Sequence, residues 1–282
     1  MYRATRRRLL SCTTYVTFAG MKSLESMTES PESIKRDRLV AFFEAFELSA
    51  TMVPPRTRCA PANLVVIGPG GRAEHVIYCA RSDALPALPH DALAAATIAF
   101  GGVSNPLVNA MPERFVVALN EVPTLQAVTA AFVAEASDSR CGRQVALNRL
   151  CEVIVLLILR RAIDAGPTRP GLLAGLSHPA LQRALVAMHD QPSKVWHTED
   201  LAEISGMSRS RFMTLFPSVV GTTPAAYLHA WRLTLGQREL LRGERVKSVA
   251  QRVGFRSAAA FSRAYSRAFG HPPVSMRDAS PP

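Results

Sequence analysis

The chain has 282 residues, enough for two domains, and its formal net charge of +11 at pH 7 favours a polyanionic partner. Charge alone leaves solubility or a membrane surface as alternatives, but the longest unbroken apolar run, residues 153–159, is too short to span a bilayer. The five cysteines are scattered and form no CxxC pair, which argues against a disulfide framework or a structural zinc site and fits a reducing cytoplasm.

Residues 1–20 combine a basic start with a weakly apolar stretch, which is compatible with a signal peptide. Because serine and threonine dilute that stretch, we interpret residues 1–35 as a disordered basic extension. One hypothesis is that the native protein starts at Met21 or Met27.

Helical spacing of apolar residues predicts a short amphipathic helix over residues 37–48. Between residues 49 and 120, short apolar segments such as NLVVIG, HVIYCA, ATIAFGGV and RFVVAL are separated by proline and glycine. That pattern is typical of strands in a small β sandwich or barrel.

Two further helices are predicted over residues 124–136 and 143–165, and glycine and proline then mark residues 169–177 as a linker. The longer helix carries apolar residues three and four positions apart, a seam that would pack against a helix of a second subunit. The predicted dimerisation residues are Leu147, Leu150, Ile154 and Leu157. The alternative is that this seam covers the β domain of its own chain, and we expect it to do both.

The C-terminal part of the chain contains one short pattern twice, at residues 201–216 and 249–265. Each copy has an alanine, a glycine four positions later, a serine that ends the following turn, and an aromatic residue four positions beyond it. These positions are Ala202, Gly206, Ser208 and Phe212 in the first copy and Ala250, Gly254, Ser257 and Phe261 in the second. The alanine lets two helices cross closely, the glycine adopts the positive φ of the turn, and the serine caps the second helix. The pattern therefore predicts two helix-turn-helix units, over about residues 198–219 and 246–269.

One helix over residues 224–242 is predicted to join the two units, and Thr198 is predicted to cap the first supporting helix. The joining helix, roughly 28 Å long at 1.5 Å per residue, would hold the two recognition helices about one duplex turn, or 34 Å, apart. Residues 178–282 hold 14 Lys and Arg against 7 Asp and Glu. We therefore predict a DNA-binding domain over residues 178–282 that contacts two successive major grooves.

The outward side of each recognition helix is predicted to face the DNA. The residues expected to contact base edges are Arg209, Ser210, Met213, Thr214, Ala258, Ala259, Ser262 and Arg263. Arg263 is the strongest candidate, because a guanidinium can bond guanine O6 and N7 together. The residues expected at phosphates are Arg211, Arg256 and Arg267, and the capping residues Ser208 and Ser257 belong to the same surface. The aromatic residues of both units, and Trp231 on the joining helix, are expected to pack in the core.

Residues 178–279 resemble the AraC/XylS family of bacterial transcription regulators, through the strings LAEISGMSRSRF, GTTPAAYLHAWRLTLGQRELL and SVAQRVGFRSAAAFSRAYSRAFGHPP. The resemblance implies a seven-helix double helix-turn-helix that binds asymmetric promoter sites in double-stranded DNA and recruits or hinders RNA polymerase. Two positions depart from the family pattern: Thr214 stands where an arginine is common, and Pro217 where lysine or arginine is usual. We expect Pro217 to end or bend the first recognition helix early.

Residues 36–168 resemble the cupin-type effector-binding domains that precede this module in one branch of the family. The likeness lies in NPLVNAMPERFVVAL, in the helix pair after it, and in GLLAGLSHPALQRAL. The chain before Asn105 is too short for a full barrel of that type, and the paired histidines of metal-binding cupins are absent, since His75 and His90 stand alone. The expected fold class is α+β: a degenerate cupin-like β domain with a helical dimerisation segment, followed by an all-α double helix-turn-helix domain.

Three functions follow as hypotheses. The first is a cytoplasmic promoter-binding regulator, dimeric or monomeric, whose N-terminal domain senses a small molecule. The second is a ligand-independent regulator whose N-terminal domain only dimerises. The third is an enzyme, either a metal-dependent cupin or a DNA-repair alkyltransferase fused to a helix-turn-helix. It is disfavoured because no metal pattern, activated cysteine or catalytic triad is evident, and we expect no cofactor.

Overall fold

A short helix opens the described part of the chain. The computed structural model describes residues 37–54, 62–81, 88–101, 104–166 and 169–273, and helix α1 spans Val40–Ala45. The helix predicted over residues 37–48 is therefore shorter than expected. It ends at Ala45 because Leu48 already belongs to a strand, where it pairs with Phe100.

Five strands form one antiparallel sheet. They are β1 (Leu48–Val53), β2 (Leu64–Ile67), β3 (His75–Tyr78), β4 (Ala92–Phe100) and β5 (Phe115–Ala118), in the order β1-β4-β2-β3-β5. Four of these were predicted from the apolar segments, and β1 was not. Among the described residues, the sheet is a single layer with β1 and β5 at its edges, so the sandwich or barrel expected from sequence is reduced to one sheet.

Three helices complete the N-terminal part: α2 (Pro106–Ala110), α3 (Pro123–Ser137) and α4 (Arg143–Asp164). Helix α4 is tied to the sheet edge, because Gln144 Nε2 donates to Ala50 O (2.8 Å) and Ala50 N donates to Asn148 Oδ1 (3.3 Å). Its buried apolar residues, among them Leu147 and Ile154, share one core with residues of the sheet and α3, while Val145 and Val153 are exposed. The seam of α4 is therefore directed largely into its own chain.

This orientation corrects the predicted dimerisation surface. Leu147 and Ile154 are fully buried in the core of their own chain, so neither can contact a second subunit, whereas Leu150 and Leu157 are half-buried. Helical periodicity identified an apolar face, but it could not tell which surface covers that face.

The segment predicted as a linker is folded. Helix α5 spans Leu172–Ser177, and three of its four apolar side chains, those of Leu172, Leu173 and Leu176, are buried. Ser177 Oγ donates to Ile163 O of α4 at 2.7 Å, which joins α5 to the N-terminal part. Leu172, Leu173 and Leu176 are thus part of the continuous core, and the described chain from Asp37 onward forms one unit.

The C-terminal part contains six helices among the described residues. They are α6 (Leu181–Asp190), α7 (Thr198–Ile204), α8 (Arg209–Val220), α9 (Pro224–Leu241), α10 (Val246–Arg252) and α11 (Ala258–Phe269). The cap of α7 was predicted one residue too late: His197 is the N-cap, its N–H donates to Asp200 Oδ2 (3.1 Å), and Thr198 is the first helical residue. The predicted extension 1–35 and most of the final short helix expected after Gly270 lie outside the described residues.

Buried apolar residues of the described chain form a large core, a small core and a third cluster on the sheet around Val65 and Ala95. The large core runs without a break from the sheet through α3–α6 into α7, α8 and the first half of α9, ending at Trp231. The small core lies between the second half of α9, α10 and α11, around Phe261 and Tyr265. The first helix-turn-helix unit therefore shares its core with the N-terminal part, and the second has its own.

In the part of the chain that the structure describes, no helix is long and apolar enough to cross a membrane. The same residues contain no group of three or more His, Cys, Asp or Glu side chains placed to hold a metal ion.

Candidate nucleic-acid interface

Both helix-turn-helix turns have the predicted local geometry. Gly206 has φ of 67° and Gly254 has φ of 83°, the left-handed region that favours glycine. Ser208 Oγ accepts a hydrogen bond from Arg211 N (3.4 Å), and Ser257 Oγ accepts one from Ala260 N (3.1 Å), so each recognition helix begins at its serine cap. These predictions are confirmed.

The recognition helices α8 and α11 each bury one face. Phe212 and Phe216 of α8 are fully buried, as are Phe261 and Tyr265 of α11. Trp231 of α9 is buried as well. The aromatic residues therefore pack as expected, and this packing leaves the opposite face of each helix free to meet a partner.

The exposed face of α8 is short and polar. The structure exposes all six residues assigned to it: Ser208, Arg209, Ser210, Arg211, Met213 and Thr214. Thr214 Oγ1 donates to Ser210 O at 3.2 Å, and Arg209 Nε lies 2.8 Å from Glu199 Oε1 on α7. One of the two arginines on this face is thus already paired with an acidic side chain.

The exposed face of α11 carries more free positive charge. Arg256, Ser257, Ala259, Arg263 and Arg267 are exposed, and Ala258 and Ser262 are half-buried. Among the described residues, no acidic side chain forms an ion pair with Arg256, Arg263 or Arg267. The two small alanines allow close approach to this face, while the arginines supply long donors around it.

Pro217 does not shorten the first recognition helix. Helix α8 continues from Arg209 to Val220 and ends at Gly221, whose φ is 80°. A proline lacks the N–H that would bond the carbonyl of Met213, so one helical hydrogen bond is lost without ending the helix. The expectation that Pro217 ends the helix early is wrong, because the buried Phe216 and Val220 on either side of it hold the last turn in place.

One long helix, α9, joins the two helix-turn-helix units and has 18 residues. At 1.5 Å per residue it is roughly 27 Å long. The arrangement matches the joining helix predicted from sequence, with Thr223 capping it by accepting from Ala226 N at 3.3 Å.

Comparison with known proteins identifies both parts of the chain. A model of the helix-turn-helix domain matches residues 201–279, and a model of the cupin domain matches residues 45–164. The HTH-type transcriptional regulator AlkR of Acinetobacter baylyi is 35% identical over 183 residues, which cover 63% of this chain and 60% of AlkR. An AraC-like transcription regulator of Streptomyces lividans is 32% identical over 156 residues, 55% of this chain and 51% of that protein. The chain belongs to the AraC family.

The family assignment confirms the predicted α+β architecture, with a cupin-like domain before a double helix-turn-helix domain. The chain spans between half and two thirds of the length of the two relatives named above. Among solved structures, the DNA-binding domain of AdpA in complex with a target DNA is 31% identical, and the match covers 36% of this chain and 93% of that one. Its TM-score is 0.33.

Sequence reasoning missed two features that position the interface of this AraC-family protein. The first is a junction between α1 and the first helix-turn-helix unit. The Phe42 ring packs against His189 (centroids 4.9 Å apart) and Trp231 (5.1 Å), and Arg238 Nε donates to Ala45 O at 2.9 Å. The apolar spacing of α1 was visible in the sequence, but nothing in it indicated contact with residues far along the chain.

His189 is the buried polar centre of this junction. Its Nε2 lies 2.6 Å from the Tyr227 hydroxyl, and burial lowers its pKa to about 3. Burial also raises the pKa of the Tyr227 phenol, so both groups are held neutral at physiological pH. The pair joins α6 to α9 inside the first unit.

The second missed feature lies on α9. Arg232 Nε donates to Pro192 O at 2.6 Å, and its Nη2 donates to Lys194 O at 2.9 Å. A half-buried arginine on an amphipathic helix gives no sequence signal for this contact. It fixes the turn between α6 and α7 against the joining helix.

Proposed function

We propose that this AraC-family protein is a cytoplasmic, sequence-specific DNA-binding transcription regulator, not an enzyme, which places α8 and α11 in successive major grooves on one face of promoter DNA. The observation that carries the proposal is the pair of exposed recognition faces held on a single rigid helix. We expect the separation of these faces to match the duplex repeat, about 34 Å. Residues 36–168 and 178–282 are the two domains of this proposal.

Specificity is assigned mainly to α11. Arg263 is exposed and has no ion pair with an acidic side chain in the described chain, so its guanidinium is available to a guanine edge. Arg256 and Arg267 flank it and are assigned to phosphates, as is Arg211 of α8. Base contacts from α8 are assigned to Ser210, Met213 and Thr214, which are short or uncharged and reach less far. Arg209 is assigned a base contact that forms when its ion pair with Glu199 breaks.

Dimerisation is proposed through the outer face of α4. Two of the four residues predicted for dimerisation are buried in the core, and the other two, Leu150 and Leu157, are half-buried. Val145 and Val153 of the same helix are 66% and 39% exposed. A second subunit would cover these four side chains. Analytical ultracentrifugation of the full chain and of a Val145→Glu/Val153→Glu double variant tests this surface, since introduced charge should leave only monomer.

Control by a small-molecule effector and contact with RNA polymerase complete the proposal, and both rest on the family resemblance. Thermal-shift screening against small organic molecules tests the first, because a ligand of the native state raises Tm. A Tm that no compound raises favours the ligand-independent regulator instead.

The decisive experiment is selection of bound DNA from a random-sequence pool by the full chain, followed by footprinting of the recovered sequence. We expect a motif with two boxes about one duplex turn apart and protection in two adjacent major grooves. Protection of fewer than about ten base pairs per monomer, or no enriched sequence, would falsify the proposal.

A further inference from the structure

The two helix-turn-helix units have separate apolar cores, so something else must fix their mutual orientation. The core of the first unit ends at Trp231 on α9, and that of the second begins at Leu233. Within the described parts of the chain, only α9 contributes to both cores, through its half-buried Leu235. A helix sets a distance, but the way each unit is rotated about that helix depends on contacts between the units.

Arg232 supplies a polar contact from α9 to the first unit. Its guanidinium spans two carbonyls, Pro192 O (2.6 Å) and Lys194 O (2.9 Å), in the turn that leads from α6 into α7. The turn is itself closed, because Lys194 N and Trp196 Nε1 both donate to Gln191 O, at 3.2 and 3.1 Å. Partial burial lowers the pKa of Arg232, so its guanidinium is partly shielded from water, which favours charge-assisted hydrogen bonds.

The second unit touches the same turn through Gly254, which lies between α10 and α11. A Cβ added at Gly254 would lie 2.7 Å from Ser193 Cα, 2.9 Å from Ser193 O and 3.2 Å from Arg232 Cζ. The backbones at Gly254 and Ser193 are therefore in direct contact, so close that any side chain at position 254 would clash with Ser193. Next to it, the Phe255 ring packs edge-on against His229 of α9, with centroids 5.4 Å apart.

We propose that Arg232, the backbone at Ser193 and Gly254 form a brace that fixes the orientation of α11 relative to α8, and thereby the spacing of the two DNA boxes that the protein accepts. Arg232 is a positioning residue in this proposal and touches no base. The proposal rests on the proposed function. It adds that the spacing between the boxes is selected by a contact between the units, and not by the length of α9 alone.

Without the brace, the protein should accept a wider range of spacings between the two DNA boxes, while both recognition surfaces stay intact. Removing one base pair between two boxes turns one box by about 36° and moves it by about 3.4 Å relative to the other. With the brace intact, the protein cannot follow that rotation without breaking two hydrogen bonds and a backbone contact. Without it, the second unit can rotate about α9 and meet the displaced box.

The test uses the full chain with Arg232→Gln, and with Arg242→Gln as the matched control, since Arg242 is an exposed arginine at the end of the same helix. Each protein is measured on the DNA that the wild type recovers from a random pool, and on versions with one base pair added or removed between the boxes. We expect wild type and control to lose about tenfold or more on the altered spacers. The Arg232→Gln protein should bind the best site more weakly but lose less than about threefold on changing the spacer.

An Arg232→Gln protein with the wild-type dependence on spacer length would overturn the brace. If wild type itself enriches no two-box DNA, the proposed function fails with it. Circular dichroism and Tm establish folding. Should Arg232→Gln not fold, Arg232→Lys carries the same test with one donor retained: a partly relaxed spacing preference supports the brace, and an unchanged one excludes it.

Discussion

The two helix-turn-helix units share one motif but differ in the core that each buries and in the face that each exposes. The first unit packs into a core that is continuous with the cupin-like domain, whereas the second unit has a small core of its own. On the exposed face, α8 presents two arginines, one of them paired with Glu199, among short polar side chains and Met213, whereas α11 presents three arginines with no ion pair to an acidic residue of the described chain. A repeated motif therefore does not imply a repeated role.

This contrast leads us to expect different effects from changes in each unit. The first unit is connected to the N-terminal part and should respond to what happens there. The second unit has an apolar core of its own, linked to α1 by the hydrogen bond from Arg238 of α9, and should dominate contact with DNA. Four variants test whether the two units respond differently.

The largest effect is expected at the junction on α1. Phe42→Ala empties a fully buried site between His189 and Trp231, and truncations of that kind cost about 3–5 kcal/mol of unfolding free energy. Because the two cores are separate, hydrogen exchange followed by mass spectrometry should show faster exchange in α6–α8, with α10 and α11 less affected. Val40→Ala on the same helix, where Val40 is 44% exposed, is the control and should change little. Equal acceleration in both units would contradict two separable cores.

A pH effect should report the same junction. Burial lowers the pKa of His189 from 6.5 to about 3, so the folded protein keeps the imidazole neutral while the unfolded chain takes up a proton near pH 6.5. The unfolded state binds more protons below that pH. The contribution of His189 is therefore complete above pH 6.5 and declines as pH falls toward 3, by roughly 2 kcal/mol at pH 5.

Urea unfolding at several pH values measures this dependence. His189→Gln should be less stable at pH 7.5 but should lose less stability on acidification than wild type does. His229→Gln, at an exposed histidine of α9, is the control and should retain the wild-type slope. If His189→Gln and wild type lose the same free energy between pH 7.5 and 5, the buried histidine does not control acid stability.

Local chemistry made the recognition helices predictable. Gly206, Gly254, Ser208 and Ser257 act through their own backbone and the next few residues, so their roles could be read from the sequence alone. The same holds for the buried aromatic face of each helix, since helical spacing decides which residues share a side. That Arg263 is exposed followed from the same periodicity.

Features that depend on a distant partner could not be predicted. The helix expected over residues 37–48 stops early because Leu48 pairs with Phe100, and β1 was missed for the same reason. The α4 seam was expected to contact both a second subunit and its own β domain, because periodicity does not reveal that Leu147 and Ile154 are buried entirely within their own chain. The Arg232 contact with Pro192 and Lys194 joins residues about forty positions apart, with no pattern that connects them.

The variant Arg263→Ala tests the base contact that we assign to α11. Loss of a bidentate contact to guanine should cost about 1–3 kcal/mol of binding free energy at the selected site and relax preference at one base pair. Thr214→Ala on α8 removes a shorter side chain and should cost less. Fluorescence anisotropy on the selected site and on its single-base variants measures both. A uniform loss on every sequence would place Arg263 at a phosphate.

The smallest effect is expected at the ion pair in front of α8. Arg209 and Glu199 are 68% and 64% exposed, so Glu199→Gln should change the unfolding free energy by less than about 1 kcal/mol. It should, however, release Arg209 toward the DNA, where one more neutralised phosphate steepens the dependence of log K on log salt concentration by about 0.9. Glu203→Gln, an exposed glutamate on the same helix, is the matched control for the loss of one negative charge. A steeper slope for Glu199→Gln alone would mean that the first unit is restrained by its own acidic partner, and equal slopes for both variants would mean that Arg209 never reaches the duplex.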